Sequence, residues 1–164
     1  MSNQILLERF EESFFECLDE TFEQVHGVYL DKGTTLFETL RGITAEEASH
    51  AIADNSATIA AQVEHVRFYL DVLVEIMRTK EIVKVDWKEI WLTVREVTPE
   101  EWETEKRRLE ESYRRVLETI NGLDNWEGEY DISGALSILV HTAYHLGGIR
   151  QALAAIKAKA AARN

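Results

Sequence analysis

Apolar residues recur three or four positions apart through four long stretches of this chain, and that spacing commits it to helices. A helix turns once in about 3.6 residues, so such residues line one side and need another element to cover them. The first stretch is expected as a helix from roughly Asn3 to Val25, with Leu6, Phe10, Phe14, Cys17, Thr21 and Val25 inward. The second follows a cap at Asn55 or Ser56 and runs to about Met77, carrying Ile59, Val63, Val66, Leu70, Leu73 and Met77. The third begins at Thr98-Pro99-Glu100-Glu101, which contains the only proline. Threonine caps, proline takes the first helical position, and two acids face the positive end of the helix dipole. It runs to about Ile120 with Trp102, Leu109, Tyr113, Val116 and Ile120 inward, and Asn121-Gly122 ends it. The fourth runs from about Ile132 to Lys159 and is apolar through Leu136, Leu139, Val140, Ala143, Leu146, Ile149, Leu153 and Ile156.

Between the first two helices, Thr44-Ala45-Glu46-Glu47 reads as a capping box that starts a short helix. The segment from Lys80 to Val97 is less regular, and its Trp87 and Trp91 are expected to fold down onto the helices. No stretch alternates with a period of two, so the expected class is all-α, a four-helix bundle. The long connections after the first and second helices leave room for crossovers. An up-down-up-down order therefore does not follow from the sequence.

A chain of 164 residues with no low-complexity linker is expected to form one domain, residues 1–164. Eighteen basic residues against 30 acidic ones give a net charge of −12. Such a chain repels phosphate backbones and anionic membrane surfaces, and no basic stripe offsets that. Neither nucleic acid nor a membrane is expected as a partner. Cys17 is the single cysteine, so no internal disulfide can form, which fits a reducing cytosol. No apolar run is long enough to span a bilayer, and Glu8 and Arg9 interrupt any signal-peptide pattern. The expected location is cytoplasmic.

Three histidines carry the chemistry. His141 and His145 stand four residues apart on the fourth helix, a spacing that points both rings the same way. His65 sits on the second helix at the edge of its apolar stripe, one turn from Tyr69. If the two helices face each other there, three imidazoles converge, leaving an open fourth position as in three-histidine catalytic zinc sites. Ser137, Gly148 and Ala152 are small neighbours on the same face, and Gly147-Gly148 is locally unfavourable inside a helix unless something approaches closely. Thr142 follows the first histidine of the pair where a zinc protease needs glutamate, so that activity is excluded.

The other candidates have plainer readings. His50 would line a pocket mouth or face solvent, and His26 suits a helix C-terminus. Cys17 lies on a core stripe. Trp87, Trp91 and Trp102 would anchor loops and core before they would stack a ligand. Tyr144 and Arg150 flank the histidine pair, where a phenol or a cation could meet a ligand. Glu64 and Glu75 share the His65 helix, but Glu64 points about 100° away from the ring.

The run Val63-Glu64-His65-Val66, a tryptophan-bearing connection, and His141-Thr142-Ala143-Tyr144-His145-Leu146-Gly147-Gly148-Ile149-Arg150 together resemble the DinB/YfiT-like superfamily. Thr34 to Leu40 followed by Thr44-Ala45-Glu46-Glu47-Ala48, and the spacing of Asp86-Trp87, Trp91 and Trp102, resemble it too. The resemblance implies a four-helix bundle of crossover topology with a metal held by His65, His141 and His145. It implies zinc, nickel or manganese as the ion and a homodimer as the assembly. It also implies thiol S-transfer or thiol-dependent isomerisation with low-molecular-weight thiols such as bacillithiol or mycothiol. Many members carry glutamine where this chain has Gly148, a departure that bears on activity and leaves the ligands untouched.

Three functions are then expected to compete. The first is a divalent-metal-dependent thiol S-transferase or hydrolase, in which the cation lowers the pKa of a thiol or water. The second is a non-catalytic stress protein that binds metal or a small ligand. The third is a helical interaction module with hydrogen-bonded histidines.

Overall fold

The computed structural model describes residues 6–54, 56–87, 91 and 94–162. The expected helix start at Asn3 and the cap at Asn55 lie outside the described residues, as do residues 88–90 and 92–93 of the tryptophan-bearing segment. Among the described residues the chain is all-α: α1 (Leu7–Phe22), α2 (Leu36–Arg41), α3 (Ala45–Ser49), α4 (Ile59–Thr79), α5 (Pro99–Asn121) and α6 (Asp131–Ala161). None of these helices is long and apolar enough to cross a membrane. Contacts divide the chain into two compact units, Met1–Gly42 and Ile43–Asn164.

The first unit holds α1 and α2, joined by a long turn whose backbone is satisfied by one side chain. Glu20 accepts the backbone N–H groups of His26 at 2.6 Å, Val28 at 3.0 Å, Tyr29 at 2.7 Å and Leu30 at 2.5 Å. A turn has no ladder to take its donors, so a carboxylate with four acceptor sites organises it. Burial works against the charge, but these N–H groups outweigh it and hold the carboxyl at about 2. Gly27 and Gly33 take positive φ values of 84° and 79°, which the turn needs and side chains resist. Thr35 starts α2 with a capping box to Glu38, and Phe37 packs at 5.7 Å from Phe22.

The stripe expected on α1 is displaced. Phe14 and Thr21 are buried, but Leu6 is exposed and Cys17 only half-buried, while Leu18 and Phe22 are completely covered. Apolar residues occupy more than one side of α1, so periodicity alone leaves its phase open.

In the second unit α4 is central, packing against α3, α5 and α6. Its N-cap is Thr58, whose hydroxyl accepts from the Ala61 N–H; Ser56 instead bonds back to Ala53 in a turn. Ile59, Val63, Val66, Leu70 and Met77 are buried as expected. The expected capping box forms at Thr44 with Glu47, and the expected cap at Thr98 is likewise completed into a box by Glu101. On α5, Trp102, Leu109, Tyr113, Val116 and Ile120 all face the core, and the Trp102 indole donates to the Ile43 carbonyl at 2.8 Å. The expected anchoring role of Trp102 therefore holds.

Two features seat α6 against α4. Lys80 closes α4 in the left-handed region (φ 61°), and its ammonium pairs with Asp131, a buried carboxylate at the start of α6. Close approach is allowed at Gly134, where an added Cβ would stand 2.7 Å from Met77 Cγ and 2.8 Å from its sulfur. Gly134→Leu is expected to force the helices apart and to destabilise the protein by about 3 kcal/mol in urea denaturation. Affinity for zinc should fall with it, because the two helices supply the histidines below.

The inward face of α6 also differs from expectation. Leu146 and Ile149 are buried, but Leu136 and Val140 are exposed, and with Ile132 and Tyr144 they form an outward apolar line. The covered face is Gly134, Ala135, Ile138, Thr142, His145, Leu146, Ile149 and Ala152. Close packing on α4 places Gly134 and Ala135 inward at the start of the helix, where Ile132 and Leu136 turn outward.

Candidate metal centre

The three histidines meet. His65 comes from α4 and His141 and His145 from α6, and one ring nitrogen of each lies within 4.8 Å of the others. His141 Nε2 faces His65 Nε2 at 3.1 Å. Bonds of about 2.0–2.1 Å in a tetrahedral zinc site place ligand nitrogens about 3.4 Å apart, so this pair already stands near the required spacing. Among the described residues no aspartate, glutamate or cysteine joins the cluster.

Aromatic rings hold two of the imidazoles in place. Tyr69 stacks on His141 with centroids 3.7 Å apart and planes 13° apart. Trp91 stacks on His65 at 4.1 Å and 19°, and Trp87 meets Tyr69 at 5.5 Å. The expectation that Trp87 and Trp91 fold onto the helices is met, with Trp91 against the site itself. Tyr144 presents its edge to His145 at 5.1 Å, yet is 75 % exposed.

Burial lowers the pKa of all three histidines. For His141, burial and then His65 bring it to about 4; for His145, burial and then His141 and His65 do the same. All three are neutral near pH 7, as metal ligands must be. The folded state resists protonation, so below the ordinary value of 6.5 the unfolded chain takes up protons first. Stability is expected to be full above pH 6.5 and to decline as pH falls toward about 4. Because all three are lowered, zinc affinity should begin to fall at a lower pH than for ordinary imidazoles, whose affinity drops from about 6.5. Competition titrations at stepped pH measure this directly.

The cluster also fails as a self-contained hydrogen-bonded core. His65 Nδ1 is buried and has no hydrogen-bond partner among the described residues. Metal-bound imidazoles usually donate this second nitrogen to an acceptor; here Trp91 fixes the ring by stacking. Glu64 is turned away, as its helix position indicates. It chelates Arg67 at 2.6 and 2.5 Å and lies beside Glu105 of α5. Burial and the Glu64 carboxylate raise Glu105 to about 7. Glu75 pairs with Arg78.

A sequence model of the DinB superfamily matches residues 32–149, the greater part of the chain and all three histidines. The chain belongs to the DinB superfamily. No curated protein and no solved structure matches it. DinB-type proteins are associated with metals, and a three-histidine cluster of this kind is compatible with that property.

The other candidate residues fall elsewhere. His50 lies at the C-terminus of α3 and lines a cavity of about 620 Å³ that also contacts Trp91 and Arg95. His26 pairs with Asp19 at 2.5 Å, and that hydrogen bond is the main cause of its raised pKa. Burial, then Glu16 and Glu20, raise the Cys17 thiol, which argues against a nucleophilic role.

Sequence reasoning missed Gln62 and the stacking of Tyr69 on His141. Both were within reach, since Gln62 and Tyr69 stand three residues before and four after His65 and share its face. Beside His145 lies a pocket of about 430 Å³ lined by Ala57, Gln62, Trp91, Tyr144, His145 and Gly148. The space over Gly148 is entered by the end of the Gln62 side chain.

Proposed function

We propose that His65, His141 and His145 bind a divalent metal ion, and that the protein is a metal-dependent enzyme using a low-molecular-weight thiol. The observation that carries this is the convergence of three neutral ring nitrogens, two buried and one half-buried, with no acidic or thiol ligand among the described residues. A three-ligand donor set leaves room for an exchangeable ligand, as catalytic sites require. Imidazole donors suit zinc or nickel, with manganese the further candidate from the family resemblance. The proposed architecture is the four-helix bundle of crossover topology.

A bound divalent cation would favour deprotonation of a thiol or water beside it and stabilise developing negative charge. The protein's own contribution is to keep three rings neutral through burial and to fix two of them by the Tyr69 and Trp91 stacks. Among the described residues, the pocket by His145 carries no carboxylate or ammonium to shuttle a proton. That favours thiol transfer over hydrolysis, since a thiol can lose its proton to solvent before reacting. The same feature is the best support for the second reading, a non-catalytic metal- or ligand-binding stress protein.

Metal analysis of protein purified without an affinity tag tests the binding step, with near one ion per chain expected. Conjugation of a panel of bacterial thiols to a reactive electrophile, with and without added metal, then separates the two readings. Metal-dependent turnover supports the enzyme; bound metal without turnover supports the binder.

A homodimer is part of the proposal. The exposed line Ile132, Leu136, Val140 and Tyr144 is the surface that supports it. Sedimentation is expected to show a dimer for the wild type and a monomer for Val140→Glu.

A further inference from the structure

Among the described residues, the pocket beside His145 is lined without a carboxylate, ammonium or guanidinium group. Its walls are the rings of Trp91 and Tyr144, its floor is the α6 backbone at Gly148, and Gln62 brings a side-chain amide to it. Gln62 reaches across from α4 until its Oε1 lies 2.9 Å from where a Cβ on Gly148 would stand. Among the described residues this amide has no hydrogen-bond partner. A half-buried amide without a partner, set between two aromatic walls and next to the histidines, is poised to be completed by a ligand.

We propose that Gln62 is a substrate-positioning residue, and that the part of the substrate lodged beside His145 is flat, uncharged and bears a carboxamide or similar neutral carbonyl. This rests on the reading of the three histidines as a metal centre with a substrate pocket beside it. A carboxamide offers donors and acceptor lone pairs together, so it matches another amide by two-point hydrogen bonding. A carboxylate can only accept and an ammonium can only donate, and each would also shed its hydration in a pocket whose described lining offers no counter-charge. A site built to hydrogen-bond one group rejects analogues that leave its polar atoms unpaired. Gly148 is needed because a side chain there would occupy the space the amide enters.

Three probes with the same ring test this: benzamide, benzoate and benzylamine. They are titrated into the full-length protein after metal removal, so that benzoate gains nothing by ligating a cation. The readouts are affinity and the NMR signals of the Gln62 side-chain amide. Benzamide is expected to bind about tenfold more tightly than the two charged probes and to shift those signals. Gln62→Leu and Gly148→Ala should each bring benzamide to within about twofold of the other two. Gly148→Ala is the sharper variant. Alanine is the better helix former, and its Cβ displaces only the flexible end of Gln62, so the melting temperature should rise while benzamide affinity falls. A purely structural Gln62 predicts unchanged benzamide affinity in both variants. That result overturns the proposal, as does absence of benzamide binding or equal or tighter binding of a charged probe. A parallel zinc titration separates the two levels of inference. Wild-type protein that binds no zinc overturns the metal reading, whereas equal zinc affinity in wild type and Gln62→Leu with no amide preference overturns this inference alone.

Discussion

Replacing His141 with alanine is expected to lower zinc affinity by at least about a hundredfold while leaving the helix content unchanged. Loss of an outer-sphere partner of a metal ligand alone costs about 10–100-fold, and removing a ligand itself costs more. His141 is the centre of the cluster: its Nε2 lies 3.1 Å from that of His65, and its ring centroid is 4.6 Å from that of His145. It is also the least buried of the three, so the substitution leaves little cavity behind. Removing it should even relieve the fold slightly at pH 5, because a ring held near a pKa of about 4 opposes folding there. The measurements are zinc titration and circular dichroism on the same samples. Unchanged zinc affinity in the variant would return the histidines to a hydrogen-bonded helical module.

The second large effect lies in the other unit. Glu20→Ala is expected to destabilise the protein by about 3 kcal/mol in urea denaturation, because it removes a charged acceptor that serves four backbone donors at once. Glu20→Gln should recover part of that loss, since its amide oxygen still accepts. Amide hydrogen exchange gives the local readout, with His26, Val28, Tyr29 and Leu30 exchanging faster in the alanine variant. The pH dependence has a definite sign. The folded carboxyl is held at about 2 against an ordinary 4.5, so its stabilisation is present above pH 4.5 and is lost as pH falls through about 2. In Glu20→Ala that acid-sensitive component should be missing. An unchanged denaturation midpoint would mean that water satisfies the turn as well as the carboxylate does.

The histidine cluster was legible because each of its parts leaves a local mark. An i, i+4 pair shares a face, and His65 lies on an independent amphipathic helix with a buried stripe on either side of it. The α5 core was equally legible, since Trp102, Leu109, Tyr113, Val116 and Ile120 stand against an otherwise charged surface. The α6 phase was not. That helix is apolar on most sides, and only contact with α4 at Gly134 and Met77 decides that Leu136 and Val140 face outward. The role of Glu20 was hidden for a different reason. Its partners are main-chain N–H groups six to ten residues away in a turn, and backbone donors carry no sequence signature. The place of Gln62 on the His65 face could be read from its spacing, but its approach to Gly148 could not, because packing alone brings the two opposite.

Anomalous diffraction across the zinc or nickel edge, from crystals of metal-loaded protein, tests the central assertion most directly. The account predicts one strong edge-dependent peak between α4 and α6, about 2.0–2.1 Å from one ring nitrogen each of His65, His141 and His145. A peak seated on surface carboxylates, or saturating metal with no peak between those helices, would contradict it.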